Sequence, residues 1–374
     1  MVRVLTFGLR ADLMGGIEKF VFTMAGEMQG ECVFDYVFLD TEKPIHQDLI
    51  KSLGGVAYTV PYYARHPFRY VWSLFRLLRR LRGETDAVYV NLFSMVHIFP
   101  ILLARLMGYK VMAHAHNNNI QHTNCVYHLI HQAGKRVCSR LHCLRLTNSH
   151  ESAVYMFGAK KGLESVLVYN AIDVAAFAFS AERRRLVRKR LGVSDGTCVV
   201  GFSGRLDLQK NPLFVVDVFE CFRQTCPDSV LLMAGEGPLR RQVETLIEQK
   251  RLQGSVKMLG LVANMADMYQ AMDVFLLPSL FEGLGIVLVE AQAAGLPCLT
   301  TQDTVPDFVS VTPLVHRESL RSTAAVWAGR LAEMLNVDSG RLRSSWQAAL
   351  LNTSFDIHTE GNRFAEIIKK FVQS

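Results

Sequence analysis

Short apolar blocks recur along the chain, each closed by a glycine, proline or polar cluster and followed by a longer stretch with apolar positions at helical spacing. In the first half, Val2–Phe7, Phe34–Leu39, Asp86–Leu92, Tyr109–Ala115, Leu144–Asn148 and Val166–Tyr169 read as strands. Gly16–Met28 and the segment around Ile98–Leu106 read as helices between them. A charged stretch, Ala181–Arg190, reads as the divider, after which the pattern restarts. Cys198–Phe202, Ser229–Ala234, Val256–Leu259, Val274–Leu277 and Cys298–Thr301 are predicted strands, with helices over Pro212–Thr225 and Leu239–Lys250. Alternation of this kind predicts an α/β fold with two doubly wound parallel sheets, one per half. The last segment, Phe355–Val372, is amphipathic and predicted helical. The two halves share architecture without a sequence repeat.

The length of 374 residues suffices for two domains with sizeable cores. No apolar run reaches the roughly 20 residues that span a bilayer; the longest candidate, Val96–Met107, is broken by His97, Pro100 and Arg105. The N-terminus reads as a first strand soon followed by Arg10 and Asp12, not as a signal peptide, so the expected compartment is the cytoplasm. Cys138 with Cys143, and Cys221 with Cys226, lack the tight spacing of zinc pairs and are expected to be buried thiols. The net charge of +7 is concentrated in Arg76, Arg79, Arg80 and Arg82, and in Arg183, Arg184, Arg185, Arg188, Lys189 and Arg190. Such patches suit phosphates, anionic lipid or nucleic acid, or are solvated helix faces. Tyr70–Leu81 mixes bulky apolar groups with arginines at helical spacing. It suits a membrane surface, and equally a core-facing helix with a basic outer side.

The chemistry gathers at predicted strand ends. After Val274–Leu277 come Glu282, Gly283, Leu284 and Gly285, then a helix carrying Glu290 about two turns in. A strand, a glycine-rich loop and a helix start make an anion site at a parallel sheet's carboxyl edge. Glu282 can face a ligand from the loop, and Glu290 has the length to reach a ribose diol; the alternative is a solvated loop acid and a helix acid near its own backbone. Gly204 and Arg205 follow the strand Val199–Phe202, and Lys210 precedes the next helix. Two cations there suit a diphosphate, or surface ion pairs with Asp207 or Glu236. Gly235-Glu236-Gly237 makes a tight turn at the same edge, either close to a base or a plain turn. In the first half, Gly15 and Gly16 open a helix and let backbone amides approach a ligand. His114, His116, Asn117, Asn118 and Asn119 end the strand Tyr109–Ala115 and are expected at a cleft; both histidines lie on one side with no third ligand near, so no metal is expected.

Together these pieces resemble the family 4 glycosyltransferases, the retaining group with the GT-B fold. The resemblance covers nearly the whole chain: Gly15-Gly16, the His116-Asn117 strand end, Asn170-Ala171-Ile172-Asp173, Gly204-Arg205-Leu206 with Gln209-Lys210-Asn211, Gly235-Glu236-Gly237-Pro238, and Glu282 through Glu290. The stretches Ala113–Asn117 and Gly204–Asn211 look most like the bacterial exopolysaccharide and capsule branch. Two departures are visible: family members usually have Asn-Gly-Ile-Asp where Ala171 stands here, and a Gly-Gly turn with Pro-Glu where this chain has Thr304-Val305-Pro306-Asp307. The second puts the acceptor-side loop and the donor choice in question.

The resemblance implies two Rossmann-like domains with a cleft between them: residues 1–170 plus 355–374 for the acceptor, and 171–354 for the donor. It implies that Arg205 and Lys210 bind the donor diphosphate, Glu290 the ribose, and Glu282 with Gly283, Leu284 and Gly285 the donor sugar. Gly15, Gly16, Gly204, Gly235, Glu236 and Gly237 complete the donor set. His116 would lie beside the reacting face of the sugar, with His114, Asn117 and Asn118 toward the acceptor. The implied co-substrate is a UDP- or GDP-sugar with no further cofactor. The implied acceptor is a saccharide on a polyprenyl diphosphate at the inner membrane face, and nucleic acid is not an expected partner. Three other readings remain: a sugar-nucleotide epimerase, a phosphorylase, and a non-catalytic nucleotide-sugar-binding subunit of a partner transferase.

Overall fold

The structure, a computed structural model, describes residues 1–12, 14–40, 44–117, 125–335 and 339–374. The chain divides into two compact units, Met1–Ala171 with Ile357–Ser374, and Ile172–Asp356.

In the first unit, β1 (Val2–Phe7), β2 (Cys32–Leu39), β3 (Ala57–Val60), β4 (Ala87–Leu92), β5 (Lys110–Ala115), β6 (Leu144–Thr147) and β7 (Val166–Leu167) form one sheet. Its order is β3-β2-β1-β4-β5-β6-β7, with every pairing parallel. Strand residues alternate between two cores, as the pleat requires. Leu5, Val88, Val90, Val111 and Ala113 pack beneath the helices Pro67–Arg80 and Phe99–Leu106. Val4, Ala87, Tyr89, Met112 and Leu146 pack beneath the helices Gly16–Glu27 and Ile357–Gln373. The last helix buries Phe364, Ala365 and Ile368 in that second core. Its Glu360 carboxylate accepts from the Tyr169 amide at 2.8 Å.

In the second unit, β8 (Cys198–Ser203), β9 (Ser229–Ala234), β10 (Val256–Gly260), β11 (Val274–Leu277), β12 (Cys298–Thr301) and β13 (Val315–Glu318) pair in the order β10-β9-β8-β11-β12-β13, again all parallel. The central strands are almost continuously apolar because helices cover both faces. In both sheets the chain reverses direction of travel beside the first strand, between β1 and β4 and between β8 and β11. Ligands of open α/β sheets bind outside the carboxyl ends of strands at such switch points.

The expected divider is a correction. Residues Ala181–Leu191 form a helix inside the second unit. Three of its cations are spent internally: Arg183 pairs with Asp267 at 2.8 Å and Arg184 with Asp273 at 2.5 Å. Arg188 is fully buried, bridging Asp273 and the carbonyls of Ser194 and Ala271. An arginine committed this way is unavailable to a phosphate, so Arg183, Arg184 and Arg188 brace the unit, while Arg185, Lys189 and Arg190 are exposed. Arg76, Arg79, Arg80 and Arg82 are also all exposed.

Residues 95–107 split into a short 3-10 turn, Met95–His97, and the helix Phe99–Leu106. No helix among the described residues is long and apolar enough to cross a membrane. Of the four cysteines expected to be buried, Cys138 and Cys143 are, and Cys221 and Cys226 depart from the expectation in being only partly buried; Cys32 and Cys298 are also buried, and Cys125 is exposed.

Candidate active site

Three loops leave the carboxyl ends of the neighbouring strands β9, β8 and β11, and the sequence stitches them together. Gly235 has φ +136°. A Cβ there would meet the Gly204 carbonyl oxygen at 1.9 Å, so only glycine allows the β9 loop to lie on the β8 loop. The Leu206 amide donates to the Glu236 carbonyl at 3.0 Å. On the other side, the Leu280 amide donates to the Gln209 carbonyl at 2.8 Å, and Gln209 Nε2 donates to the Phe281 carbonyl at 3.1 Å.

The stitching delivers Lys210 to Glu282. Lys210 Nζ donates to Glu282 Oε1 at 2.5 Å, and Ser279 Oγ donates to the same oxygen at 2.6 Å. The two charged side chains are 14% and 4% exposed. Among the described residues, both bonds to this carboxylate fall on Oε1. A pair removed from water this far is costly to maintain and is a weak source of stability, which favours a chemical role. The lysine stem lies against Gly204, whose missing Cβ would stand 3.1 Å from Lys210 Cγ.

Glu290 sits in the helix Ile286–Ala293, one turn in rather than two, because the helix starts only after Gly285. It is 4% exposed. The Tyr269 hydroxyl donates to its Oε2 at 3.0 Å, and burial beside that carboxylate raises the Tyr269 pKa well above the usual value. Tyr269 is itself held by Arg343, which donates to the carbonyls of Tyr269, Met272 and Ala294. Burial pushes the Arg343 guanidinium down to about 9. Arg205 stands differently: its side chain is 71% exposed and lies 3.7 Å from Asp207. Glu236 pairs with Arg240.

In the first unit, Glu18 closes the Gly15-Gly16 loop. Its buried carboxylate accepts from the Arg10 amide at 2.8 Å and the Gly15 amide at 3.1 Å. A carboxylate at a helix N-terminus is stabilised by the dipole, and here it also fixes the approach of the loop. A Cβ at Gly16 would meet nothing within 4 Å.

The two histidines stack with ring centroids 4.0 Å apart, edge-on to Phe20. Asn91 Nδ2 donates to the Phe7 carbonyl at 3.0 Å, so its Oδ1 is the atom presented to His116 Nε2 at 2.8 Å. An oxygen there requires that Nε2 carries the proton. His116 Nδ1 is then a bare acceptor, buried and without a partner among the described residues. Burial drives the His116 pKa down to about 3, which keeps the ring neutral. His114 corrects the expectation of an acceptor contact. It has no exposed surface, and Tyr89 OH sits 2.5 Å from its Nδ1, so it supports His116 from below. Asn117 follows β5 partly exposed; Asn118 and Asn119 lie outside the described residues. Asn91, Tyr269, Ser279 and Glu18 were not singled out in the sequence, and no spacing signal marks them.

Residues 183–310 match the family described as Glycosyl transferases group 1, a span that holds all three stitched loops. This chain is a GT-B glycosyltransferase. EpsF, named as a glycosyltransferase of Bacillus subtilis (strain 168), is 28% identical over 336 residues, 85% of this chain and 84% of its own. The UDP-Gal:alpha-D-GlcNAc-diphosphoundecaprenol alpha-1,3-galactosyltransferase of Escherichia coli is 27% identical over 61% of this chain and 60% of its own. The fold of the transferase matches that of Anabaena Alr3699/HepE, solved in complex with UDP-glucose, with a TM-score of 0.79 at 16% identity over 99% of this chain and 100% of that one.

Proposed function

We propose that this glycosyltransferase moves a sugar from a nucleotide-sugar, with retention of configuration, to a hydroxyl of a lipid-linked saccharide during surface polysaccharide assembly. The observation that carries the reading is the Lys210–Glu282 pair, buried where the β8 and β11 loops meet, with Glu290 buried in the helix that follows the β11 loop. The barrier is departure of the diphosphate from the anomeric carbon, and negative charge grows on its oxygens. Lys210 and Arg205 offset that charge, and the helix N-terminus at Ile286 adds its dipole. Glu282 orders Lys210 and offers its carboxylate to a sugar hydroxyl. Glu290, held by Tyr269, takes the ribose diol. His116 supplies a neutral acceptor nitrogen to a sugar hydroxyl. The leaving phosphate takes the proton of the attacking hydroxyl on the same face, so no protein nucleophile is invoked.

A UDP-sugar as donor is supported by the UDP-glucose complex of HepE. A lipid-linked acceptor is supported by the galactosyltransferase named for a diphosphoundecaprenol substrate and by the Alpha-monoglucosyldiacylglycerol synthase of Acholeplasma laidlawii. In this reading residues 1–170 with 355–374 serve the acceptor, residues 171–354 serve the donor, and the enzyme works at the inner face of the cell membrane. The exposed arginines of Pro67–Arg80, with Arg82, face anionic lipid.

The test is a thermal-shift screen of UDP- and GDP-sugars followed by product detection with the best binder, since a ligand of the native state raises the melting temperature by mass action. Two cations serve the diphosphate without a metal, so turnover is expected to survive EDTA. Loss of turnover in EDTA, restored by a divalent ion, refutes that part. A nucleotide-sugar converted without any acceptor would replace transfer by epimerisation.

A further inference from the structure

The first unit encloses a cavity of about 590 Å3 that none of the site residues above explains. It lies outside the carboxyl ends of β1 to β4, at that sheet's switch point. Its floor is Phe7, Val37, Val60 and Val90, all buried. Tyr63, Tyr70 and Phe99 form a side wall of touching rings.

Three of the polar side chains that reach the cavity are already engaged. Asn91 is held between the Phe7 carbonyl and His116, Arg10 pairs with Asp12 at 3.0 Å, and the His97 ring lies 3.5 Å from the Tyr63 hydroxyl. Among the described residues, no carboxylate lines it. A sugar would need a partner for each hydroxyl and would find too few. A hydrocarbon chain needs none.

The rim shows which kind of apolar ligand fits. Leu39, Val71 and Phe93 line the cavity and are also exposed. Val71 belongs to the helix Pro67–Arg80, where Phe68 and Trp72 are 89% and 60% exposed. Arg69, Arg76, Arg79 and Arg80 are interleaved with them, also exposed. On the other flank of this helix, Trp72, Arg76, Arg79 and Arg80 line a basic groove. Apolar surface therefore runs from the cavity onto an outward face studded with arginines. That combination matches an amphiphile with a hydrocarbon chain and an anionic head.

We propose that this cavity receives the first part of the hydrocarbon chain of a phosphate-bearing lipid acceptor, with the helix Pro67–Arg80 lying in the headgroup layer. The proposal rests on the reading that the first unit serves a lipid-linked acceptor, and adds where the chain goes.

The probe is farnesyl phosphate below its aggregation threshold, with inorganic phosphate, phenyl glucoside and UDP as comparisons, read by fluorescence and thermal shift on the full chain. The variant is Val71→Asp with Phe93→Asp, both on exposed rim positions. Wild type is expected to bind farnesyl phosphate saturably, the double variant at least tenfold more weakly, and both to bind UDP equally. Three outcomes overturn the cavity assignment: no saturable binding, equal farnesyl phosphate binding by the double variant, or binding matched by inorganic phosphate or phenyl glucoside. If farnesyl phosphate binds as expected but UDP and GDP do not bind wild type, the cavity stands and the nucleotide-sugar reading falls.

Discussion

Asn91 decides which nitrogen of His116 carries the proton, and nothing in the sequence marks it. It stands inside the apolar strand β4, where a lone asparagine reads as a weak point in a core. Its amide matters only because β1 brings the Phe7 carbonyl, and β5 brings His116, to its two ends. The consequence is measurable. In Asn91→Asp a carboxylate faces the imidazole, favours the imidazolium and raises its pKa. A protonated His116 has no acceptor nitrogen left. Turnover of the variant is therefore expected to rise with pH between about 4 and 7, through the raised pKa. Wild type, with His116 near 3, is expected to be flat over that window. Parallel pH profiles of kcat would remove the role given to the Asn91–His116 bond. Lys210 and Glu282 illustrate the same limit of legibility. Each was readable as a charged residue at a strand end, but their contact spans 72 positions and depends on Gln209 and Leu280 joining two loops.

At the level of elements, the central strands were legible because burial on both faces demands continuous apolar runs, as in Val274–Leu277. Of the four edge strands, β7 and β10 were legible, and β3 and β13 were not. β3 reads Ala-Tyr-Thr-Val and β13 reads Val-His-Arg-Glu, since an edge buries less and tolerates polar groups. The helix Ala181–Leu191 misled for a related reason: Arg183, Arg184 and Arg188 look solvated until Asp267 and Asp273 arrive from elsewhere in the chain. Gly235 is the element-level control on the donor loops. Gly235→Val adds a β-branched residue at φ +136° and a Cβ against the Gly204 carbonyl. It is expected to destabilise the second unit by about 3 kcal/mol and to weaken nucleotide binding at least tenfold. Denaturant melts and a UDP titration check both. Unchanged UDP affinity would mean that the β8 and β9 loops need not touch for binding.

At the level of the molecule, the parallel order of both sheets follows from alternating strands and helices, while the return of Ile357–Gln373 to the first unit depends on Phe364 and Glu360 finding β4 and Tyr169. The buried histidines give the first unit a pH signature. Burial lowers both pKa values, His116 to about 3. Below the unfolded value of about 6.5 the unfolded chain binds protons that the folded one refuses, so stability falls with pH from there down toward 3. Between pH 7 and pH 5 the loss from His116 is expected to be on the order of 2 kcal/mol, and His114 adds in the same direction. Calorimetry should show a steeper pH dependence for wild type than for the double variant His114→Gln with His116→Gln; identical slopes would mean that neither ring is held neutral.

The most direct measurement is isothermal titration of UDP, or of GDP if it binds better, into wild type, Glu290→Gln and Lys210→Ala, with sugar transfer followed on the same samples. Wild type is expected to bind, Glu290→Gln to lose about tenfold in affinity, and Lys210→Ala to lose affinity together with about a hundredfold in turnover, roughly 3 kcal/mol of stabilisation of the departing phosphate. Undiminished binding and turnover in both variants would contradict the assignment of the donor to the loops of β8, β9 and β11.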